Sequence, residues 1–115
     1  MAIPTETVYG LGADALSDQA VAKIYEAKGR PSFNPLISHM ASPAMARDYV
    51  EWSKAAERLS NAFWPGPMTL ILPAKQDCAI SQLARAGLTS VAIRVPAHPV
   101  AQTLLSKLAR PVAAP

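Results

Sequence analysis

Apolar positions fall into stretches of helical and of strand-like spacing that alternate along the chain. Val21, Ile24, Tyr25 and Lys28 stand at helical spacing with Ala20 and Ala27 beside them, and Ser17 or Asp18 can cap their start. A helix is expected from there to about Lys28. Leu36-Ile37-Ser38-His39-Met40 reads as a short strand, and Ser42-Pro43 as a helix start, with a capping hydroxyl followed by proline at the first helical position. From Ser53 to Phe63, Ala56, Leu59 and Phe63 recur with a helical period, leaving Lys54, Glu57 and Arg58 for a solvated face. Trp64-Pro65-Gly66-Pro67 breaks that helix, with Trp64 read as a packing anchor rather than a base-stacking platform. Met68 to Leu72 follows as a strand stopped by Pro73.

The stretch from Ala74 to Thr89 has no clear period, although Ile80, Leu83 and Ala84 could form a short helix. Ser90 to Pro96 is an apolar, β-branched run, and if Val91, Ile93 and Val95 share one face, Arg94 projects from the other. Pro99 opens a last helix carrying Val100, Leu104, Leu105 and Leu108, and residues 111–115 read as a final strand. At the other end, Ala2-Ile3 looks like the end of a strand too short to pair with anything. Pro4 to Gly12 then reads as a polar loop whose glycines let backbone approach a ligand, or as an ordinary turn. Strands alternating with helices predict an α/β fold, a single open, twisted mixed sheet with helices packed over it. The whole of residues 1–115 reads as one domain, truncated at both ends.

Composition narrows the partners. With a net charge of +3, attraction to polyanions should be moderate, so a phosphate-bearing small molecule fits at least as well as a nucleic-acid duplex. One cysteine, Cys78, excludes an internal disulfide and a thiolate-rich zinc site; no metal site of the protein's own is expected. No stretch approaches the roughly 18 apolar residues of a membrane span, and the N-terminus carries no basic region followed by an apolar run, so a cytoplasmic protein without a membrane partner is expected.

The chemistry concentrates between Ala27 and His39. Lys28 and Arg30 stand where Gly29 and Pro31 should end the helix, which leaves two cations facing open space beside Asn34 and His39. Two such cations suit an anion. They can also be plain solvated residues favoured by a helix C-terminus.

Six segments in order resemble the YrdC-like family: Pro4 to Gly12, Ala27 to Pro31, Asn34 to His39, Trp64 to Leu70, Val91 to Pro96 with His98-Pro99, and Pro111 to Pro115. The resemblance implies a twisted, open α/β sheet around a concave, positively charged cavity. It further implies L-threonylcarbamoyladenylate synthase activity, in which L-threonine, bicarbonate and ATP give threonylcarbamoyl-AMP and pyrophosphate. The product feeds tRNA N6-threonylcarbamoyladenosine modification through a downstream tRNA-threonylcarbamoyl transferase complex. Thr7 and His39 then match contacts to L-threonine, and Arg94 matches the partner of its carboxylate. Lys28 and Arg30 match the pair along the ATP phosphates, with magnesium sharing the charge, and Asn34 and Ser90 match further ATP contacts. No general base is assigned.

Bottom-up chemistry agrees with these residue types, since a guanidinium on a strand can hold a carboxylate through two parallel hydrogen bonds. The same Arg94 could instead salt-bridge Glu6 or Asp14. Relative to the family pattern, a helix and strand ahead of Pro4 and a Ser-Ala-Asn segment after Pro115 are missing. Two alternatives belong to other classes: a module binding double-stranded RNA or tRNA without catalysis, and the carbamoyl-transfer relative of hydrogenase maturation, which the single cysteine disfavours.

Overall fold

The computed structural model describes the backbone of residues 2–4, 9–28 and 35–114, and the side chains of 12–27 and 35–114. Along the chain run β1 (Ala2–Pro4), β2 (Tyr9–Leu11), β3 (Ala13–Asp14), α1 (Asp18–Lys28), β4 (Ile37–His39) and α2 (Pro43–Arg47). They are followed by α3 (Lys54–Phe63), β5 (Leu70–Pro73), β6 (Ser90–Arg94), α4 (Pro99–Leu108) and β7 (Val112–Ala114).

Five strands form one mixed sheet in the order β3-β7-β4-β6-β5, with β4 and β6 parallel and the other neighbours antiparallel. The remaining two form a separate antiparallel pair, in which Ala2 faces Leu11 and Pro4 faces Tyr9. The mixed sheet is as expected, with β1 and β2 as an additional pair. One expectation is corrected: the Ala2-Ile3 segment does pair, because Tyr9 to Leu11 inside the supposed loop is extended.

Capping chemistry sets the helix starts. Ser17 Oγ accepts from the Ala20 amide at 3.2 Å, Ser42 Oγ from Met45 at 3.2 Å, and Ser53 Oγ from Ala56 at 3.0 Å. His98 serves the same purpose for α4, its Nδ1 accepting from the Val100 amide at 3.2 Å, with Pro99 at the first helical position.

Strand alternation divides the main sheet into two unlike faces. Val91, Ile93, Leu70 and Ala113 point to one side, where they are buried together with Val21, Ile24 and Tyr25 of α1, Ala46 of α2, Trp64 and Ile80. The opposite side carries Ile37, His39, Ser90, Ala92, Arg94 and Val112. Among the described residues its β7 end is covered by Leu105 and Leu104 of α4 against Val112 and Ala114. Towards β5, Ser90, Ala92 and Arg94 are half-buried and Ile71 is 71% exposed.

Three further details differ from the sequence reading. In α3 the buried residues are Ala56 and Ser60, whereas Leu59 and Phe63 are exposed, because the helix turns a narrow, small-residue face to the core. Glu57 is not merely solvated. Its carboxylate accepts from Trp52 Nε1 at 2.5 Å and from Arg47 Nη2 at 2.6 Å, with the Arg47 guanidinium 5.2 Å from the centre of the Trp52 ring. Residues 82–87 form successive turns rather than a helix. Ile80 and Ala84 are nonetheless buried, and Leu83 is part-exposed.

Candidate functional site

The face opposite the main core is organised by one row of residues running across the sheet. Asp14 pairs with Val112, Val112 with His39, and His39 with Arg94. Leu70 pairs with Ile93, so one further step in that antiparallel register brings Thr69 opposite Arg94. Register partners project to the same face, which makes His39 and Arg94 neighbours on adjacent parallel strands.

His39 is 2% exposed, and its Nδ1 lies 3.3 Å from the Val112 carbonyl oxygen, which fixes the ring against β7. Arg94 is half-buried. Its Nη2 donates to Thr69 Oγ1 at 3.2 Å, while its Nε is buried with no hydrogen-bond partner among the described residues. A guanidinium N–H in that state is an unsatisfied donor. Asp14 is not the partner that a structural reading of Arg94 requires, since its carboxylate binds Arg110 at 2.9 Å. Glu6 lies outside the described residues.

Ser90 sits on the same face of β6, four residues before Arg94. Strand rise separates the two by about 13 Å, too far for one amino acid to touch both and within the span of a nucleotide-sized ligand. His39, Arg94 and Ser90 are thus brought to one face.

The other anticipated site residues fall elsewhere. α1 does end at Lys28, as the helical spacing predicts, but the Lys28 side chain lies outside the described residues, as do Thr7, Arg30 and Asn34. A hollow of about 540 Å³ lies between β3 and α1. It is lined by Gly12, Asp14, Ser17 and Lys23 among others, and includes none of His39, Ser90 or Arg94. Those three lie on the sheet face opposite the main core instead. No three His, Cys, Asp or Glu residues cluster to hold a metal among the described residues. No described helix is long and apolar enough to cross a membrane.

Thr69 escaped the sequence reading, which treated it only as part of a strand. Its signal lay in alternation: with Leu70 and Leu72 facing the core, Thr69 must share the other face with Ile71.

The fold is thus an α/β domain whose mixed sheet sets a buried histidine beside an arginine with an unpartnered Nε among the described residues. Comparison with known proteins gives the relationship. The Sua5_yciO_yrdC family model, described as "Telomere recombination", matches residues 1–115, and the chain belongs to that family. A Bacillus subtilis relative, Threonylcarbamoyl-AMP synthase, is 53% identical over 116 residues, covering all of this chain and 33% of the relative. The crystal structure of Pyrococcus abyssi Sua5 complexed with L-threonine superposes with a TM-score of 0.93 at 50% identity, covering 99% of this chain and 33% of that one. Escherichia coli YciO shares the fold, with a TM-score of 0.84 at 24% identity over 99% of this chain and 55% of that one. The chain therefore spans about a third of the length of the first two relatives.

Proposed function

We propose that this chain forms a substrate-binding part of an L-threonylcarbamoyladenylate synthase, with the row through His39 and Arg94 receiving L-threonine. The observation that carries this reading is the half-buried Arg94 fork, held on a strand beside His39 and not paired with Asp14. A relative at 50% identity with the same fold was crystallised with L-threonine.

In this reading the Arg94 guanidinium holds the threonine carboxylate through parallel charge-assisted hydrogen bonds, and Thr7 and His39 contact the rest of the amino acid. The free amine attacks the bicarbonate carbon, an N–C bond forms, and the broken C–O bond releases water, leaving a carbamate. A carbamate oxygen then attacks the α-phosphorus of ATP, a new P–O bond forms, and pyrophosphate leaves with the electron pair of the broken P–O bond. Lys28 and Arg30 neutralise charge along the phosphates, while Asn34 and Ser90 contact the nucleotide, Ser90 from the far end of β6. Magnesium enters as the counter-ion of the ATP phosphates, bound as part of the substrate. The residues act chiefly by positioning and charge stabilisation. The product would pass to a tRNA-threonylcarbamoyl transferase complex in the cytoplasm.

The test sets these 115 residues in place of the matching segment of the P. abyssi relative and measures pyrophosphate release while omitting each substrate in turn. Release that needs L-threonine, bicarbonate and ATP together supports the reading. Release without threonine, or equal release with L-serine, overturns the substrate assignment.

A further inference from the structure

We propose that Thr69 is the positioning residue of the carboxylate clamp, and that the Trp64 to Met68 turn exists in part to place its hydroxyl. This deepens the reading of Arg94 as the threonine-carboxylate partner and rests on it.

Arg94 is the last residue of β6. An arginine there has several rotatable bonds, and ordering it when a ligand arrives costs conformational entropy. One contact among the described residues removes that freedom in advance: Nη2 donates to Thr69 Oγ1 at 3.2 Å. The threonine hydroxyl is a neutral acceptor, so it orients the guanidinium without cancelling the charge that a carboxylate needs. An aspartate at the same place would compete with the ligand. The bond engages one of the two Nη2 hydrogens and leaves Nε–H unpartnered among the described residues.

Thr69 is itself held from both directions. Behind it, Trp64 is 8% exposed and its Nε1 donates to the Met68 carbonyl at 2.8 Å, which fixes the peptide leading into Thr69. The Gly66 amide donates to the Val95 carbonyl at 2.8 Å and ties the turn to the residue following Arg94. Glycine is required at that point, because a Cβ on Gly66 would come within 2.5 Å of the Phe63 carbonyl oxygen. Ahead of Thr69, the pairing of Leu70 with Ile93 locks the register that sets it opposite Arg94. The turn and the strand therefore converge on one geometric result, a hydroxyl facing a guanidinium.

The test uses the chain with its arginine side chains labelled with ¹⁵N, comparing wild type, Thr69→Val and Thr69→Ser. Valine keeps the shape of threonine and removes the acceptor, whereas serine keeps the hydroxyl. The Arg94 Nε–H resonance should shift and exchange with water at least about tenfold faster in Thr69→Val, with wild-type behaviour retained in Thr69→Ser. Affinity for L-threonine should fall about tenfold in Thr69→Val and be recovered in Thr69→Ser, while ATP affinity stays within twofold of wild type in both. An Arg94 resonance unchanged in folded Thr69→Val overturns the proposal. Failure of the wild-type chain to bind L-threonine would instead overturn the substrate reading, since the Arg94 resonance reports on Thr69 without any ligand.

Discussion

His39 and Arg94 are register partners on the parallel strands β4 and β6, projecting side by side from the sheet face opposite the main core. They lie 55 positions apart in sequence, and parallel pairing with α2, α3 and β5 intervening is what joins them. The rest of the row follows from the same pairing: Val112 stands behind the imidazole and Thr69 beyond the guanidinium.

Nucleotide affinity should depend on Lys28 and Arg30. Replacing both with alanine in the P. abyssi chimera is expected to weaken ATP binding by tenfold or more, since each cation–phosphate contact is worth on the order of 1 kcal/mol or above. Calorimetric titration with ATP checks this, and circular dichroism shows whether the fold is intact. Unchanged affinity in a folded double variant would remove these two residues from the phosphate site.

Gly66→Ala should destabilise the domain. The new methyl would meet a backbone oxygen, which cannot swing aside like a side chain, so a loss of about 1–3 kcal/mol is expected from the overpacking. Urea denaturation measures it. A variant as stable as wild type would show that the turn relaxes freely, and that Gly66 does not hold Thr69 in place.

Acid should loosen the contact between α2 and α3. The hydrogen bond from Trp52, aided by the charge of Arg47, holds the Glu57 carboxyl below its ordinary value of 4.5, against a smaller opposing effect of desolvation. The folded state thus favours the ionised form. Its contribution is present above the unfolded-state pKa and is lost as the pH falls from about 5 through the lowered folded value. Thermal midpoints measured across that range should fall more steeply for wild type than for Glu57→Gln, which has no charge to lose. Parallel curves for the two proteins would contradict the assignment.

Local chemistry made much of the fold legible. Ser42-Pro43, Ser53 and His98-Pro99 sit at helix starts because capping and proline preference act within a few residues, and the alternation in Ser90 to Val95 placed Arg94 opposite the core. Long-range relationships were not legible from periodicity. The pairing of β1 with β2 depends on a partner hidden in a polar segment, and the exposure of Leu59 and Phe63 depends on which face of α3 the sheet accepts. For the site, residue types suggested Arg94 and His39 as candidates, yet their adjacency and the acceptor Thr69 needed sheet register. The exclusion of Asp14 likewise needed Arg110, a residue 96 positions away that the strand alternation gave no reason to consider.

The central claim is that Arg94 receives the carboxylate of L-threonine, and Arg94→Lys tests it most directly because it keeps the charge while removing the planar fork. Steady-state pyrophosphate release by the chimera, measured against L-threonine and against ATP separately, is predicted to show KM for threonine raised by about ten- to a hundredfold, corresponding to loss of a charge-assisted pair worth roughly 1.5–3 kcal/mol. KM for ATP should stay within about twofold of the unsubstituted chimera. An unchanged KM for threonine, or a rise confined to ATP, would contradict the account.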